Sequence, residues 1–289
     1  MEQSQYSIKI YTRSANVLLY RYSQGLISIP YKRARLYGTT ADDYFYQMLE
    51  DKDCDIAINI DEDAFVVNNA AVKALLDYVI ANDIVCCGMN DGGVLPIRVG
   101  HPVVMNPFFN IINLKAIREK FNREEIEHFS FQEHKDDLLS KLPAELRNYH
   151  GEKTDDEHYE PYYSFFFWLA LNFKIEFLPV EEHPDGYTTI LCNQDNQPVL
   201  YHTWWSRAYG IDAFHTERIK NVIKEAYAAQ SMSVPCLFFT KFGRWFEHKS
   251  QQLQEWWIWW IRLGFGNWII RHAKKSPKHY FSAIKKHIK

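Results

Sequence analysis

The chain has 289 residues, of which 47% are hydrophobic, 24% charged and 16% aromatic, and its net charge is only −3. This composition is typical of a globular protein with one large domain, or one domain plus an appendage, and no internal repeat or low-complexity tract is present. The charge is uneven, because residues 1–240 hold 22 basic and 34 acidic residues whereas residues 241–289 hold 11 and 2. An acidic body with a basic tail predicts that the tail contacts something anionic.

The cysteines and the first residues indicate the compartment. The five cysteines have neither metal-type nor disulfide-type spacing, and Cys86 and Cys87 lie in an apolar run, where buried free thiols are expected. Residues 1–6 lack the basic-then-apolar pattern of a signal peptide. Both features predict a reducing cytosol.

The first half of the chain alternates between strand-like and helix-like segments. Four apolar runs predict strands, at residues 7–11, 54–60, 84–87 and 108–112. A polar turn is predicted at residues 12–14. Thr40 is expected to cap a helix that ends near residue 50, and Asn68 or Asn69 to cap the next one. Residues 90–93, Asn-Asp-Gly-Gly, are typical of a turn.

The second half is less regular. Residues 122–160 are polar and predict helical pieces that pass over the core, after which Pro161 is expected to open an apolar helix at residues 162–172. Strands are predicted at residues 174–180 and 199–202, with a long loop between them at 181–198. The alternation of strands and helices predicts an α/β fold with a mixed, mostly parallel sheet flanked by helices.

The segment Asp61-Glu62-Asp63 is the most informative, because a short apolar strand ends there in two acids. Side chains alternate along a strand, so Asp61 and Asp63 are expected on the same side, where their charges repel unless a cation or proton lies between them. Hard oxygen ligands suit Mg²⁺ or Mn²⁺, which commonly also bind substrate phosphates. The acids at positions 51, 53 and 55 precede the strand and are expected to be solvated. The alternative for residues 61–63 is an acidic surface loop.

The order of these segments along the chain resembles that of nucleotide-sugar glycosyltransferases of the GT-A fold. In that family a strand ends in a D-x-D motif that binds a divalent ion. Glu160-Pro161 stands at the family's acidic helix start, and residues 171–175, Leu-Asn-Phe-Lys-Ile, at its turn into a strand. Residues 201–205, Tyr-His-Thr-Trp-Trp, are similar to the late histidine site. The resemblance covers residues 5–210. It departs from the family where Pro161 replaces the usual second acid, which leaves the catalytic base open.

The resemblance implies a set of roles. Asp61, Asp63 and His202 would hold Mn²⁺ or Mg²⁺ against the diphosphate of the donor, which is usually a UDP-sugar. Arg35 would add a phosphate contact, with Arg33 or Arg207 as weaker choices. If the reaction inverts the anomeric centre, Glu160 would be the base, and if it retains, Glu160 would only position the substrate.

Each assignment has a structural alternative. Glu160 can be a helix N-terminal acid favoured by the dipole, His202 a core histidine and Arg35 a solvated arginine. Residues 90–93 can be an ordinary turn or contact the donor sugar. Trp204 and Trp205 can stack on a sugar ring or pack in the core.

The tail after residue 240 is rich in tryptophan and lysine. Six of the nine tryptophans lie there, and residues 256–271 are strongly apolar but interrupted by Arg262 and Asn267. This is too short for a membrane span, so an in-plane anchor on an anionic membrane surface is predicted. Packing on the body and binding of a partner protein are the alternatives. No nucleic-acid motif accompanies the charge, so nucleic acid is not expected as a partner.

Together these features predict a GT-A-like α/β domain at residues 1–215 and a helical, basic tail at residues 216–289. The predicted function is a metal-dependent glycosyltransferase of surface polysaccharide biosynthesis. It would move a sugar from a nucleotide donor to a glycan or lipid-linked glycan acceptor. The predicted location is cytoplasmic and peripheral, at the inner face of the cell membrane. The alternatives are a sugar nucleotidyltransferase, which normally needs a glycine-rich loop after its first strand, and a non-catalytic membrane-peripheral scaffold.

Overall fold

The structure is a computed structural model, and it describes residues 6–36, 39, 41–95, 100–143 and 160–235. The strands are β1 (Ile8–Arg13), β2 (Lys32–Leu36), β3 (Ile56–Ile60), β4 (Ala64–Val66), β5 (Cys86–Gly88), β6 (Phe109–Asn113), β7 (Ile175–Phe177), β8 (Val180–Glu182), β9 (Thr189–Cys192) and β10 (Pro198–His202). The helices are α1 (Val17–Gly25), α2 (Asp43–Glu50), α3 (Asn69–Ala81), α4 (Leu114–Arg118), α5 (Arg123–Glu127), α6 (Lys135–Ser140), α7 (Tyr163–Asn172) and α8 (Ala213–Ala229).

The larger sheet has six strands in the order β2-β1-β3-β6-β5-β7. β1 pairs in parallel with β2 and β3, and β5 with β7, whereas β6 runs antiparallel to β3 and β5. The predicted mixed, mostly parallel sheet flanked by helices is confirmed. Because all of these strands except β6 run in the same direction, their carboxyl ends meet at one side of the sheet, which we call the carboxyl edge.

Helices cover both faces of this sheet. On β3, Ile56, Ile58 and Ile60 pack into an apolar cluster with residues of α1, α3 and α8, whereas Ala57 packs into a second cluster with residues of α2, α4 and α7. A strand buried on both faces needs apolar residues on both, which explains why β3 reads as a continuous apolar run.

The smaller sheet is antiparallel, in the order β4-β10-β9-β8, and it continues directly from the carboxyl edge. β10 pairs with β4 so that His202 lies opposite Ala64, one residue after Asp63. The predicted loop at residues 181–198 is wrong, because it contains parts of β8 and all of β9. Likewise, the predicted strand at residues 174–180 is divided between β7 and β8. The polar segment of β8 lacks the apolar alternation that marks a half-buried strand.

Several local predictions are refined by the structure. β1 continues through Arg13, so the predicted turn at residues 12–14 starts too early. Asn68 is the N-cap of α3 and accepts a hydrogen bond from the Ala71 amide at 3.0 Å. α2 begins at Asp43, and Thr40 lies outside the described residues.

The predicted boundary between residues 215 and 216 falls inside α8. This helix buries Ile219, Val222 and Ile223 in the core, so it belongs to the same unit as the sheets, which spans Met1–Leu237. The predicted tail anchor lies outside the described residues. Among the helices that the structure describes, none has the length and apolar character needed to cross a membrane.

Candidate active site

The acids that follow β3 lie at the carboxyl edge, where the chain passes from one sheet to the other. The Asp61 amide donates to the carbonyl of Phe108 at 2.8 Å, and the Ala64 amide donates to the carbonyl of Asp61 at 3.1 Å. This tight turn leads straight into β4. The acids are therefore held by one backbone hydrogen bond to the residue before β6 and by one within the turn, and they are not on a loose surface loop.

The three consecutive acids have different partners. The Glu62 carboxylate accepts hydrogen bonds from the Ser14 hydroxyl at 2.8 Å and from the Asn16 amide at 2.5 Å. Asp63 lies 3.5 Å from His202 Nε2, measured to its Oδ1. Asp61 Oδ1 is buried and has no hydrogen-bond partner among the described residues. A buried carboxylate oxygen without a partner costs free energy, so it marks a place where a ligand or a proton is expected.

These environments shift the pKa values of the three acids in different directions. Burial raises the pKa of Asp61 to about 7, where the Asp63 charge adds to the shift and the Arg13 charge opposes it. Burial also raises the pKa of Glu62 to about 8, despite the hydrogen bonds it accepts. Burial acts in the same sense on Asp63, but the charge and hydrogen bond of His202, together with a backbone hydrogen bond and the charge of Arg13, hold the pKa of Asp63 below its ordinary value. The turn therefore combines one firmly ionised carboxylate with two that favour a proton or a cation.

His202 reaches the turn from the smaller sheet. Its ring stacks on Phe108 with centroids 4.0 Å apart and lies 4.2 Å from the Trp204 ring. The side chain is buried, with an exposed fraction of 4% for the residue. The structure thus brings His202 to Asp63, as the resemblance implies, although the two are 139 positions apart in the sequence.

Two arginines lie near these acids. Arg35, on β2, donates to the Ser14 hydroxyl at 3.1 Å, and its guanidinium lies 4.7 Å from the centroid of the Tyr20 ring. Arg13 ends β1, and extending the β1–β3 register by two residues beyond Tyr11 and Asn59 brings it level with Asp61. Burial lowers the pKa of Arg13, but the charge of Asp61 contributes most to a net rise above its ordinary value.

The remaining arginines named from the sequence lie elsewhere. Arg33 donates to the carbonyls of Gln24 and Ile27, so it holds the end of α1. Arg207 is exposed in a short 3-10 turn. The contacts of Arg33 therefore do not support a phosphate role.

Glu160 precedes α7, in a region organised around the buried Asp91. The carboxylate of Asp91 accepts hydrogen bonds from the Tyr163 hydroxyl at 2.7 Å and from the side-chain Nδ2 of Asn106 at 2.6 Å. Burial and then the charge of Asp91 raise the pKa of Tyr163, with a smaller contribution from Glu160. The turn at residues 90–93 is therefore an anchor for the start of α7, and its acid is satisfied by protein groups.

The tryptophans after His202 have separate positions. Trp204 is buried beside His202, whereas Trp205 is half-buried and stacks on His215 with centroids 5.0 Å apart. Trp204 therefore packs in the core, which is one of the two alternatives given for it, whereas Trp205 lies at the surface.

Sequence reasoning missed Arg13 and the pair that holds Glu62. A signal for Arg13 existed, because a parallel partner of β3 that also ends at the carboxyl edge places its last residue beside Asp61. The prediction of a turn at residues 12–14 ended β1 too early, so Arg13 was not considered as a strand residue. Ser14 and Asn16 carried no signal, because their role depends on a contact with a residue 46 or more positions away.

The donor chemistry of the turn suits Mg²⁺ or Mn²⁺, since both Asp61 and Asp63 offer carboxylate oxygens. Among the described residues, however, no group of three or more His, Cys, Asp or Glu side chains is close enough together to hold a metal ion. Asp61, Asp63 and His202 therefore do not form a complete three-ligand metal site by themselves. Two carboxylates completed by substrate phosphates and water are a common arrangement for Mg²⁺, so the residues fit such an ion.

A cavity of about 380 Å³ lies at the opposite end of the sheet, near the end of α2 and the start of α5. Its lining includes Tyr46, Glu50, Lys52 and Arg123. It is separate from the acids at the carboxyl edge, and none of the candidate site residues lines it.

Comparison with known proteins gives no family. No protein-family model matches the sequence, and no curated protein matches it. Among solved structures, one that matches is the crystal structure of A197 from STIV, with 12% identity, a TM-score of 0.34 and coverage of 67% of this chain and 93% of that chain. A likeness at this level carries no argument about function.

Proposed function

We propose that this protein is a GT-A-like glycosyltransferase that transfers a sugar from a nucleotide donor, with UDP as the expected nucleotide, to a glycan or lipid-linked glycan acceptor. The observation that carries the proposal is the turn at the carboxyl edge. There, a buried Asp61 oxygen that has no hydrogen-bond partner among the described residues lies in the same turn as the ionised Asp63. Ligands of open α/β sheets bind outside the carboxyl ends of the strands, which is where this turn lies.

In this proposal each acid has a distinct task. Asp61 and Asp63 would bind one Mn²⁺ or Mg²⁺, which when bound stabilises the negative charge that grows on the departing diphosphate. His202 orients Asp63 and keeps it ionised through their contact. Glu62 does not face the substrate, because its carboxylate is tied to the loop between β1 and α1.

The cationic groups of the carboxyl edge would assist the leaving group. Arg13 lies level with Asp61, and in this proposal its guanidinium would balance the charge of a bound phosphate. Arg35 lies one strand further out and contacts Ser14. Both stay candidate contacts for the nucleotide diphosphate.

Glu160 remains the proposed base for the case in which the anomeric centre is inverted. Its position at the start of α7 is fixed by the Asp91–Tyr163 hydrogen bond three residues further along the chain. A carboxylate held at the start of a helix, close to the carboxyl edge, can accept the proton of an acceptor hydroxyl.

The nucleotidyltransferase alternative is less well supported. That class needs a phosphate-binding loop after the first strand, but here Ser14 and the Asn16 amide are used to bind Glu62. The Asn16 side chain is also used, since it caps α1. Few donors of this loop remain for a phosphate.

Calorimetry with UDP and Mn²⁺ tests the proposal. We expect the wild-type protein to bind UDP only when Mn²⁺ is present. Asp61→Ala or Asp63→Ala should abolish this binding, and the turnover of a nucleotide-sugar, while circular dichroism shows an intact fold. The matched control is Asp53→Ala, which removes an exposed acid before the same strand and should bind UDP normally.

Two outcomes would contradict the proposal. Full binding and turnover by Asp61→Ala would refute the metal assignment. Failure of the wild-type protein to bind any UDP, GDP or their sugar derivatives would favour the scaffold alternative.

A further inference from the structure

We propose that Arg218, on α8, is a positioning residue that holds the turn at residues 203–205 and thereby fixes Asp63 and His202. The activity readouts of this inference rest on the proposed function, but its structural readout does not. The proposal is based on the strained turn, the contacts of the guanidinium and the hydrogen bonds that link the turn to Asp63.

The turn after β10 is strained. Trp204 and Trp205 have φ angles of 55° and 54°, in the left-handed region. Bulky residues other than glycine rarely adopt this conformation, and two in succession persist only when the surrounding structure over-determines them. The contacts around this turn therefore have to oppose its tendency to relax.

Arg218 supplies those contacts from a buried position, with an exposed fraction of 7%. Its Nη2 donates to the carbonyl of Thr203 at 2.6 Å and to the carbonyl of Trp204 at 3.4 Å. Its Nη1 donates to the Thr188 hydroxyl at 2.9 Å and to Asp185 at 3.2 Å. The guanidinium thus joins the strained turn to the segment between β8 and β9.

The strained turn contacts the candidate active site directly. The amide and the hydroxyl of Thr203 both donate to the carbonyl of Asp63, at 3.0 and 3.2 Å. Trp204 packs its ring on that of His202 and donates from Nε1 to the Thr189 hydroxyl at 3.0 Å. A shift of residues 203–204 would therefore move both partners of the Asp63–His202 contact.

Arginine is suited to this role and lysine is not. The planar guanidinium presents donors in a fixed fork, so one side chain can donate to the Thr203 carbonyl and the Thr188 hydroxyl at the same time. An ammonium group is a compact point charge on a flexible stem. Arg218→Lys keeps the positive charge beside Asp185 and loses the fork.

The direct test compares Arg218→Lys with the wild-type protein by NMR of the His202 imidazole and by Mn²⁺-dependent UDP binding and turnover. We expect the His202 resonances to shift, because the ring moves relative to Phe108 and Trp204. Loss of a direct partner of a metal-binding side chain typically lowers affinity or activity by about 10- to 100-fold. Arg218 reaches Asp63 through Thr203, so we expect a loss toward the lower end of that range, about 10-fold.

Arg118→Lys is the matched control. Arg118 also donates to backbone carbonyls, those of Leu49, Asp51 and Cys54, but it does so at the opposite end of the larger sheet. This variant should lose some stability and leave the His202 resonances and UDP binding unchanged. A general effect of destabilisation would instead change both variants alike.

A milder pair of variants covers the case in which Arg218→Lys does not fold. Thr188→Val removes the hydroxyl that accepts from Arg218, whereas Thr188→Ser keeps it. The valine variant should shift the His202 resonances and the serine variant should not.

A folded Arg218→Lys or Thr188→Val protein with unchanged His202 resonances would overturn the proposal. Shifted resonances in a protein whose wild type binds no nucleotide would instead support it and refute only the proposed function.

Discussion

At the scale of single residues, the candidate site shows how neighbours separate three chemically similar acids. Asp61 has a buried oxygen with no hydrogen-bond partner in the part of the chain that the structure describes. Glu62 accepts hydrogen bonds from Ser14 and Asn16, and Asp63 is held ionised with the help of His202. Glu62 connects the turn to the loop after β1 through these hydrogen bonds. The outer two remain the proposed ligands.

The raised pKa of Glu62 leads to a prediction about pH. Its folded-state pKa, about 8, lies above its ordinary value of 4.5, so the folded state binds more protons between these values. The stability that the protonated group contributes is complete below pH 4.5 and is lost as the pH rises through 8. Glu62→Gln mimics the protonated form, so it should be more stable than wild type at pH 8 by about 1 kcal/mol or more, since one pKa unit corresponds to about 1.4 kcal/mol.

Urea denaturation with a chelator present, at pH 5 and at pH 8, measures this difference. The exposed Glu119→Gln serves as the control and should show no such pH dependence. If Glu62→Gln and the wild-type protein have the same stability profile across this range, the buried environment assigned to Glu62 is wrong.

At the scale of elements, neighbouring asparagines at the start of α3 perform different tasks. Asn68 caps the helix through the Ala71 amide. Asn69 connects this helix start to other parts of the body, because it accepts from the Ser28 amide and donates to the carbonyl of Leu26. The helix is thus stabilised locally by one side chain and positioned by the next.

Substitution of the two asparagines should separate these tasks. Asn68→Ala is expected to cost about 1 kcal/mol of stability through loss of the cap, and Asn68→Ser should restore most of it, because serine also caps well. Asn69→Ser should not restore what Asn69→Ala loses, since a hydroxyl cannot both accept from Ser28 and reach Leu26. Chemical denaturation of the four variants checks this, and full stability of Asn69→Ser would contradict the bridging role.

At the scale of the whole molecule, the two sheets share one body through the turn at the carboxyl edge, and α8 is part of that body. Its residues pack in the same apolar cluster as those of β3 and α3. The body therefore extends further along the chain than the boundary predicted at residue 215. The basic residues that produce the charge asymmetry are concentrated beyond it, after residue 240.

Deletion of residues 241–289 tests the proposed membrane role of the tail. We expect the full-length chain to sediment with vesicles that contain anionic lipid and the truncated chain to stay in the supernatant. Each basic residue near an anionic surface is worth about 1 kcal/mol, so neutral vesicles should bind the full-length chain more weakly. Continued sedimentation of the truncated chain would count against the anchor.

The sequence by itself determined the parts that depend on neighbouring residues. The apolar run that ends at Asp61 predicted a buried strand, and the asparagine before a periodic apolar segment predicted the cap of α3. These predictions succeed because strand alternation, helical periodicity and capping are set within a few positions of the chain.

Only the tertiary structure decided which distant groups meet these elements. It placed Arg13 level with Asp61, His202 beside Asp63, and Arg218 against the turn that follows His202. Such contacts depend on the register between strands and on the packing of helices far apart in sequence, and one residue of slip in a strand would turn each of its side chains to the other face. Local patterns of hydrophobicity do not carry that register, so they predicted the acids but neither Arg13 nor Arg218, and His202 was named only through the resemblance to a family.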